Sequence, residues 1–392
     1  MSGIPGMPEG FDPEAFADTP LFREIQRVLS SSSGPVNWEL ARQIGIAGAQ
    51  DGRDDPMPSD RDLHDVEEAV RVAELQVAQF TGLEPPHDVP VVRPVRRAEW
   101  VSAALESLGP LIEPAASRAG RAIEEVAQSD GREQPGAFGG NAMIGQLSPL
   151  LVGAQVGSVL GSLGRRAFGR FDIAVPRADP GALLFVTSTI GSFERDWSLD
   201  RTEFRTAVAL HEVAHRFEFS RPWAFPRFRE LLEDFLSTLV LDTEALRHAI
   251  EGVDPADPGA MQQLLEGQDG LFGTVLDDEQ RIKLGRIQAF MAASEGWADH
   301  VAAAIGEELL PSQSMIDEAV RRHREEDLAD PVFERLLGVE MKREQYVAGR
   351  AFCDRVAELT DEATLGRMWQ DAETMPSLPE VEEPRLWLAR VV

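Results

Sequence analysis

Apolar residues recur along this chain with the period of helices far more often than with that of strands. Val66, Val70, Ala73, Val77 and Phe80 form one stripe between residues 59 and 80, which predicts a long amphipathic helix. Comparable patterns predict helices over residues 21–29, from Asn37 to about Ala49, over 97–119 with a break near Gly109-Pro110, and over 226–250, 278–306, 312–327 and 340–358. Two short apolar runs bounded by Pro and Gly, residues 171–175 and 182–188, read as strands, and the Pro-rich stretch 84–94 as a turn. The pattern predicts a mainly α (α+β) fold in which a small sheet sits beside a helical shell.

Residues 137–164 carry no charge at all, which raises the question of a membrane span. Ser148-Pro149 reads as a helix start and leaves about 16 residues, short of the roughly 20 needed to cross a bilayer. Asn141, Gln146 and Gln155 also speak against lipid, while Gly153, Gly157 and Gly161 form a smooth strip for close helix packing. The expected element is a buried helix of a soluble protein. Residues 1–19, rich in Gly, Pro and acid, are expected to be a disordered tail, followed by a helical region over 20–165 and a region carrying the sheet and the chemistry over 166–392.

With 38 basic against 67 acidic residues the net charge is −29, a surface that repels phosphate backbones and anionic lipid heads. Neither nucleic acid nor membrane is an expected partner. The single cysteine, Cys353, excludes an internal disulfide and a Cys-based zinc ribbon, and its apolar surroundings predict a buried, inert thiol. The first ten residues have neither a basic nor an apolar leader pattern, so the expected location is cytoplasmic.

The candidate chemistry begins at Asp200, which with Glu203 makes a helix-start signal. The helix that follows contains His211-Glu212-Val213-Ala214-His215. Four residues are about one turn, so the two histidines project from one face and can grip one metal ion. Glu212 is rotated by roughly 100°, where a general base for a metal-bound water belongs. Two lone histidines in a buried helix are more often hydrogen-bonded core residues, so a third ligand decides. Ser294-Glu295-Gly296-Trp297-Ala298-Asp299-His300 supplies one: Glu295 and Asp299 share a face of an otherwise apolar helix, with no basic neighbour to pair them. Glu295 would complete a His₂Glu set, and Asp299 would accept a hydrogen bond from the outer nitrogen of a ligand histidine.

His211-Glu212-x-x-His215 with Glu295-x-x-x-Asp299 resembles the gluzincin branch of zinc metallopeptidases, of which thermolysin is a member. More closely, the chain is similar to an actinobacterial zincin-like family of hydrolases or zinc metallopeptidases, some named for an association with deazaflavin-coenzyme biosynthesis. That resemblance runs from about Pro35 to the C-terminus and includes Asn37-Trp38, Arg97-x-Glu99-Trp100, the Gly-rich helix and Lys342-x-x-Gln345-Tyr346-x-x-Gly349. It implies a zincin-like fold, one zinc ion per chain held by His211, His215 and Glu295, Glu212 as general base and acid, and Asp299 supporting His211. Two features depart from the gluzincin pattern: the gap between His215 and Glu295 is far longer, and Ser294 stands where those enzymes carry Asn. Tyr346, His300 and Arg350 are candidates for the donor that stabilises the oxyanion.

The function expected is zinc-dependent hydrolysis, most simply of peptide bonds in a peptide or protein substrate. Glu212-x-x-His215 is also half of a carboxylate-bridged di-iron signature, but the chain has no second Glu-x-x-His. A mononuclear iron site would use the same ligand types, and the spare Glu212 favours hydrolysis over it. A catalytically silent, metal-stabilised scaffold and a hydrolase of a non-peptide amide are the alternatives.

Overall fold

The structure, a computed structural model, describes residues 34–129, 140–178, 181–238, 277–327 and 343–392. The expected tail over 1–19, the helix over 21–29 and most of the acidic stretch before residue 278 lie outside the described residues. Helix α1 (Trp38–Gln50) begins where Asn37 Oδ1 accepts the amide of Leu40 at 2.9 Å, and α2 (Asp60–Thr81) where Ser59 and Asp62 form a reciprocal capping box. The expected stripe of α2 is inward: Val66, Val70, Ala73 and Val77 are all buried.

Strand β1 (Val92–Val95) leads into α3 (Arg97–Ser129) and α4 (Gly140–Gly164), and β2 (Leu183–Val186) into α5 (Thr187–Asp196), α6 (Arg201–Phe219) and α7 (Ala224–Thr238). The described chain continues through α8 (Asp278–Leu309), α9 (Gln313–Asp327) and α10 (Arg343–Leu359) to the short helices α11 (Glu362–Gly366), α12 (Leu378–Glu382) and α13 (Pro384–Val391). The fold is mainly helical, with a two-stranded parallel sheet in which Val92 pairs with Leu183 and Val95 with Val186.

Three local expectations are corrected. The run 171–175 is not a strand; its backbone turns at Asp172, and the partner of β2 is β1, which overlaps the end of the stretch expected as a turn. Pro94 faces Phe185 in that ladder, which a strand tolerates at a sheet edge. The break at Gly109-Pro110 is absent: α3 runs through Pro110 and Pro114. Burial of Leu108, Leu111, Ile112 and Ala115 outweighs the ladder bonds the prolines forfeit. Helix α4 starts at Gly140 rather than at Ser148 and carries Pro149 inside it.

The glycine strip of α4 packs on α1 as expected. A Cβ on Gly157 would stand 2.5 Å from the carbonyl oxygen of Ala41, so the two backbones touch there. No described helix is long and apolar enough to cross a membrane.

Two apolar cores result. One gathers α1, α3, α4, α7 and the first half of α8, including Ile287 and Phe290; the other gathers α2, α6, the second half of α8 and α10, including Trp297 and Val301. Buried Arg205 locks α6 to α5 and α2, its Nε 2.8 Å from Glu194 and its Nη1 3.0 Å from Asp62. Despite burial, Ser59, Arg205 and Arg201 hold the Asp62 carboxyl well below the usual range.

Candidate metal centre

Helix α6 starts at Asp200, whose Oδ1 accepts the amides of Thr202 and Glu203 at 2.9 and 3.0 Å. Glu203 turns away from the cap and accepts the amide of Ser312 at 2.8 Å. Leu210, Val213, Ala214 and Phe217 anchor the helix in the second core, so the opposite face is held rigidly toward α8.

On that face His211 and His215 stand with ring centroids 4.7 Å apart. From α8, Glu295 places Oε1 at 3.4 Å from His211 Nε2 and Oε2 at 3.5 Å from His215 Nε2. One ligand atom from each of the three lies within 4.8 Å of the others. Ligands about 2.1 Å from a tetrahedral ion stand about 3.4 Å from one another, so these separations suit a shared cation.

His215 is completely buried, and its Nδ1 faces Glu218 Oε2 at 3.0 Å. Its Nε2 is buried without a hydrogen-bond partner, and 3.5 Å to Glu295 is too long for a good one. A buried nitrogen left so costs about 1–3 kcal/mol unless a cation meets it. The sequence reading missed Glu218, whose only signal is its position one turn after His215. It also explains Ser294: the serine hydroxyl donates to the same Glu218 oxygen at 2.5 Å. Where an Asn would be needed to reach further, a serine and a buried glutamate divide the distance.

Asp299 does not approach the outer nitrogen of His211. Its Oδ1 lies 3.2 Å from Nε2, the nitrogen that also faces Glu295. One turn beyond Glu295 on the same face of α8, it meets the ring from the same side. Burial disfavours the His211 imidazolium, yet Asp299 and Glu295 outweigh it and raise the group to about 10. For His215, burial is outweighed by Glu218 and Glu295, which raise it to about 9. A carboxylate field that favours positive imidazoles equally favours a divalent cation between neutral ones.

Glu212 points off the same helix into a turn at residues 169–172. Its Oε2 accepts the amide of Arg170 at 2.9 Å and its Oε1 that of Phe171 at 3.0 Å. Burial raises the Glu212 carboxyl, against the lowering pull of His211, His215 and the two amides. The Phe171 ring stacks obliquely over His215, 5.7 Å between centroids, and closes that side to water.

The oxyanion candidates fare differently. Tyr346 lies in the first turn of α10, and its side chain is outside the described ones. His300 is committed elsewhere: Nδ1 is 2.7 Å from Asp354 and Nε2 3.1 Å from Glu362, which fastens α8 to α10 and α11. Arg350 donates to the Asp299 carbonyl at 2.9 Å and to Asp354 at 2.7 Å. Burial opposes the His300 imidazolium, but Asp354 and Glu362 raise it to about 9. That folded value lies above the unfolded one near 6.5, so the stabilisation is complete below about pH 6.5 and lost as pH rises through about 9. Chemical denaturation between about pH 7 and 10 is therefore expected to show the wild type losing on the order of 2 kcal/mol more than His300→Gln.

Two histidines one turn apart and a carboxylate from a crossing helix define a candidate mononuclear centre of the type used by metal-dependent hydrolases. The chain belongs to the zincin-like metallopeptidase family, whose model matches residues 36–388. That membership implies zinc as the cofactor, and the orphaned Nε2 of His215 fits it. Among solved structures, the chain is similar to a Chloroflexus aurantiacus protein described as "a putative hydrolase with a novel fold". The two share 26% identity and a TM-score of 0.62, over 91% of this chain and 98% of that one. No curated protein matches the chain significantly.

Proposed function

We propose that the protein is a zinc metallopeptidase that cleaves peptide bonds with a water activated by Glu212. The observation that supports this most is the convergence of His211, His215 and Glu295 beside a further carboxylate that none of them needs. His211 and His215 would hold the ion through Nε2 and Glu295 through a carboxylate oxygen, one ion per chain. Bound zinc supplies Lewis acidity to water and to the scissile carbonyl. Glu212 takes the proton of the attacking water and passes it to the departing amine. Burial raises its carboxyl, the direction that suits a group acting as base and then as acid. Glu218 and Ser294 keep the His215 ring oriented, and the Phe171 ring keeps bulk water from that side.

Purified protein should carry about one zinc per chain and cleave members of a mixed peptide library, with cleavage lost on chelation and restored by zinc. Two irons, or none of either metal, would sink the proposal. Glu218→Gln weakens the support of one ligand, so zinc affinity is expected to fall by roughly 10- to 100-fold in competition with a chelating dye. The burial of Glu212, only 3% exposed and bound to two amides, favours a second reading as a silent, metal-stabilised scaffold. A zinc-loaded protein inert toward the whole library would favour that reading, or a non-peptide amide substrate.

A further inference from the structure

Trp100 takes no part in the centre as described, yet it is joined to it. It projects from α3 and is 1% exposed. Its indole Nε1 donates to the carbonyl oxygen of Gly169 at 2.6 Å. The N–H on the other side of that same peptide group, that of Arg170, donates to Glu212 Oε2 at 2.9 Å. Indole, peptide group and carboxylate thus make one continuous chain of buried hydrogen bonds. A donor on a peptide carbonyl polarises the group and strengthens its N–H as a donor in turn.

The turn that carries this peptide is pinned from several sides. Gly169 N–H donates to Asp172, the Val186 amide donates to the Phe168 carbonyl at 2.8 Å, and Gly169 bridges to Phe185 of β2. Gly169 also stands against the carboxylate itself, where a Cβ would come within 2.3 Å of Glu212 Cδ. The peptide group therefore meets Glu212 through its N–H edge with the Gly169 Cα packed close beside the carboxylate, and its orientation sets where the carboxylate oxygens are held.

We propose that Trp100 is a positioning residue for Glu212, acting through the 169–170 peptide group. It deepens the function proposed above, since it rests on Glu212 as the proton carrier. Packing alone would ask only for a large flat ring at position 100; positioning asks for its N–H. Trp100→Phe separates the two, because it keeps most of the ring and removes the donor.

In whole zinc-free protein, hydrogen exchange at the amides of Arg170 and Phe171 should quicken about tenfold in Trp100→Phe, while the α6 amides stay protected. In zinc-loaded protein, kcat on a cleaved peptide should fall about tenfold with KM and zinc content unchanged. Unaltered exchange at both amides would overturn the proposal, as would a loss confined to overall stability with kcat intact. Should Trp100→Phe not fold, the chain can be read from its other end. In Glu212→Gln carrying ¹⁵N-labelled tryptophan, the Trp100 indole N–H should exchange several-fold faster than in the wild type. An indole indifferent to residue 212 overturns the link. If exchange responds as expected but no form of the protein hydrolyses any peptide, the peptidase reading fails while the Trp100–Glu212 coupling stands.

Discussion

Glu212→Gln is expected to keep about one zinc per chain and to lower peptide hydrolysis by roughly 100- to 10,000-fold, the range for loss of a general acid–base. The metal stays because none of the three converging ligand atoms belongs to residue 212. Catalysis goes because an amide cannot accept the water proton. The structure adds a smaller second effect. Glu212 meets two N–H donors with two oxygens, and Phe171 reaches both, at 3.0 and 3.2 Å. Glutamine offers one oxygen and turns an NH₂ toward a donor, a conflict worth about 1–3 kcal/mol. A lower melting temperature at unchanged zinc content should therefore accompany the lost turnover. Elemental analysis, calorimetry and kcat on one cleaved peptide check the three parts. Turnover within a few-fold of wild type would remove Glu212 from the mechanism.

Gly349→Ala is expected to be the most damaging small substitution away from the centre. Helices α8 and α10 cross with backbones in contact: a Cβ on Gly349 would lie 1.9 Å from the Ala292 carbonyl oxygen, and one on Gly296 2.1 Å from the Gly349 carbonyl carbon. The obstacle at each point is main chain in a helix, which has no rotamer to yield. The helices must part, and the buried contacts around Phe352 and Cys353 loosen with them. A loss of about 3 kcal/mol, at the upper end for overpacking, is expected in denaturant titrations. Glu295 is the neighbour of Gly296, so zinc affinity should weaken in the same variant. A change under 0.5 kcal/mol, the level of an ordinary surface substitution, would show that the crossing is not tight.

The legible parts of this sequence were those with a period or a fixed spacing. The stripe of α2, the glycine strip of α4 and the pairing of His211 with His215, like that of Glu295 with Asp299, follow from 3.6 residues per turn, and the start of α1 from the capping chemistry of Asn37. What escaped depends on partners distant in the chain. Residues 171–175 are apolar enough for a strand, but the amide of Phe171, like that of Arg170 before it, is spent on Glu212, a residue some 40 positions on. β1 hid behind Pro94, which matters little in a strand with one open edge. Glu218 was invisible as a support because it looks like any helix acid until Ser294 arrives from α8. His300 looked available because the carboxylates that claim it lie more than 50 residues away.

The split of the interior into two cores has a consequence for how the molecule is assembled and judged. The helices bearing His211, His215 and Glu295 pack in the second core, whereas Trp100, which steadies the turn over Glu212, belongs to the first. Because α8 spans both cores, a molecule whose defect is confined to the part of the first core around Trp100 would keep the three ligand atoms in place. Such a molecule would pass a metal assay and bind a zinc-directed inhibitor, yet carry a base held at the wrong angle. Metal content, the customary certificate of a well-made metalloenzyme, thus vouches for only half of this protein.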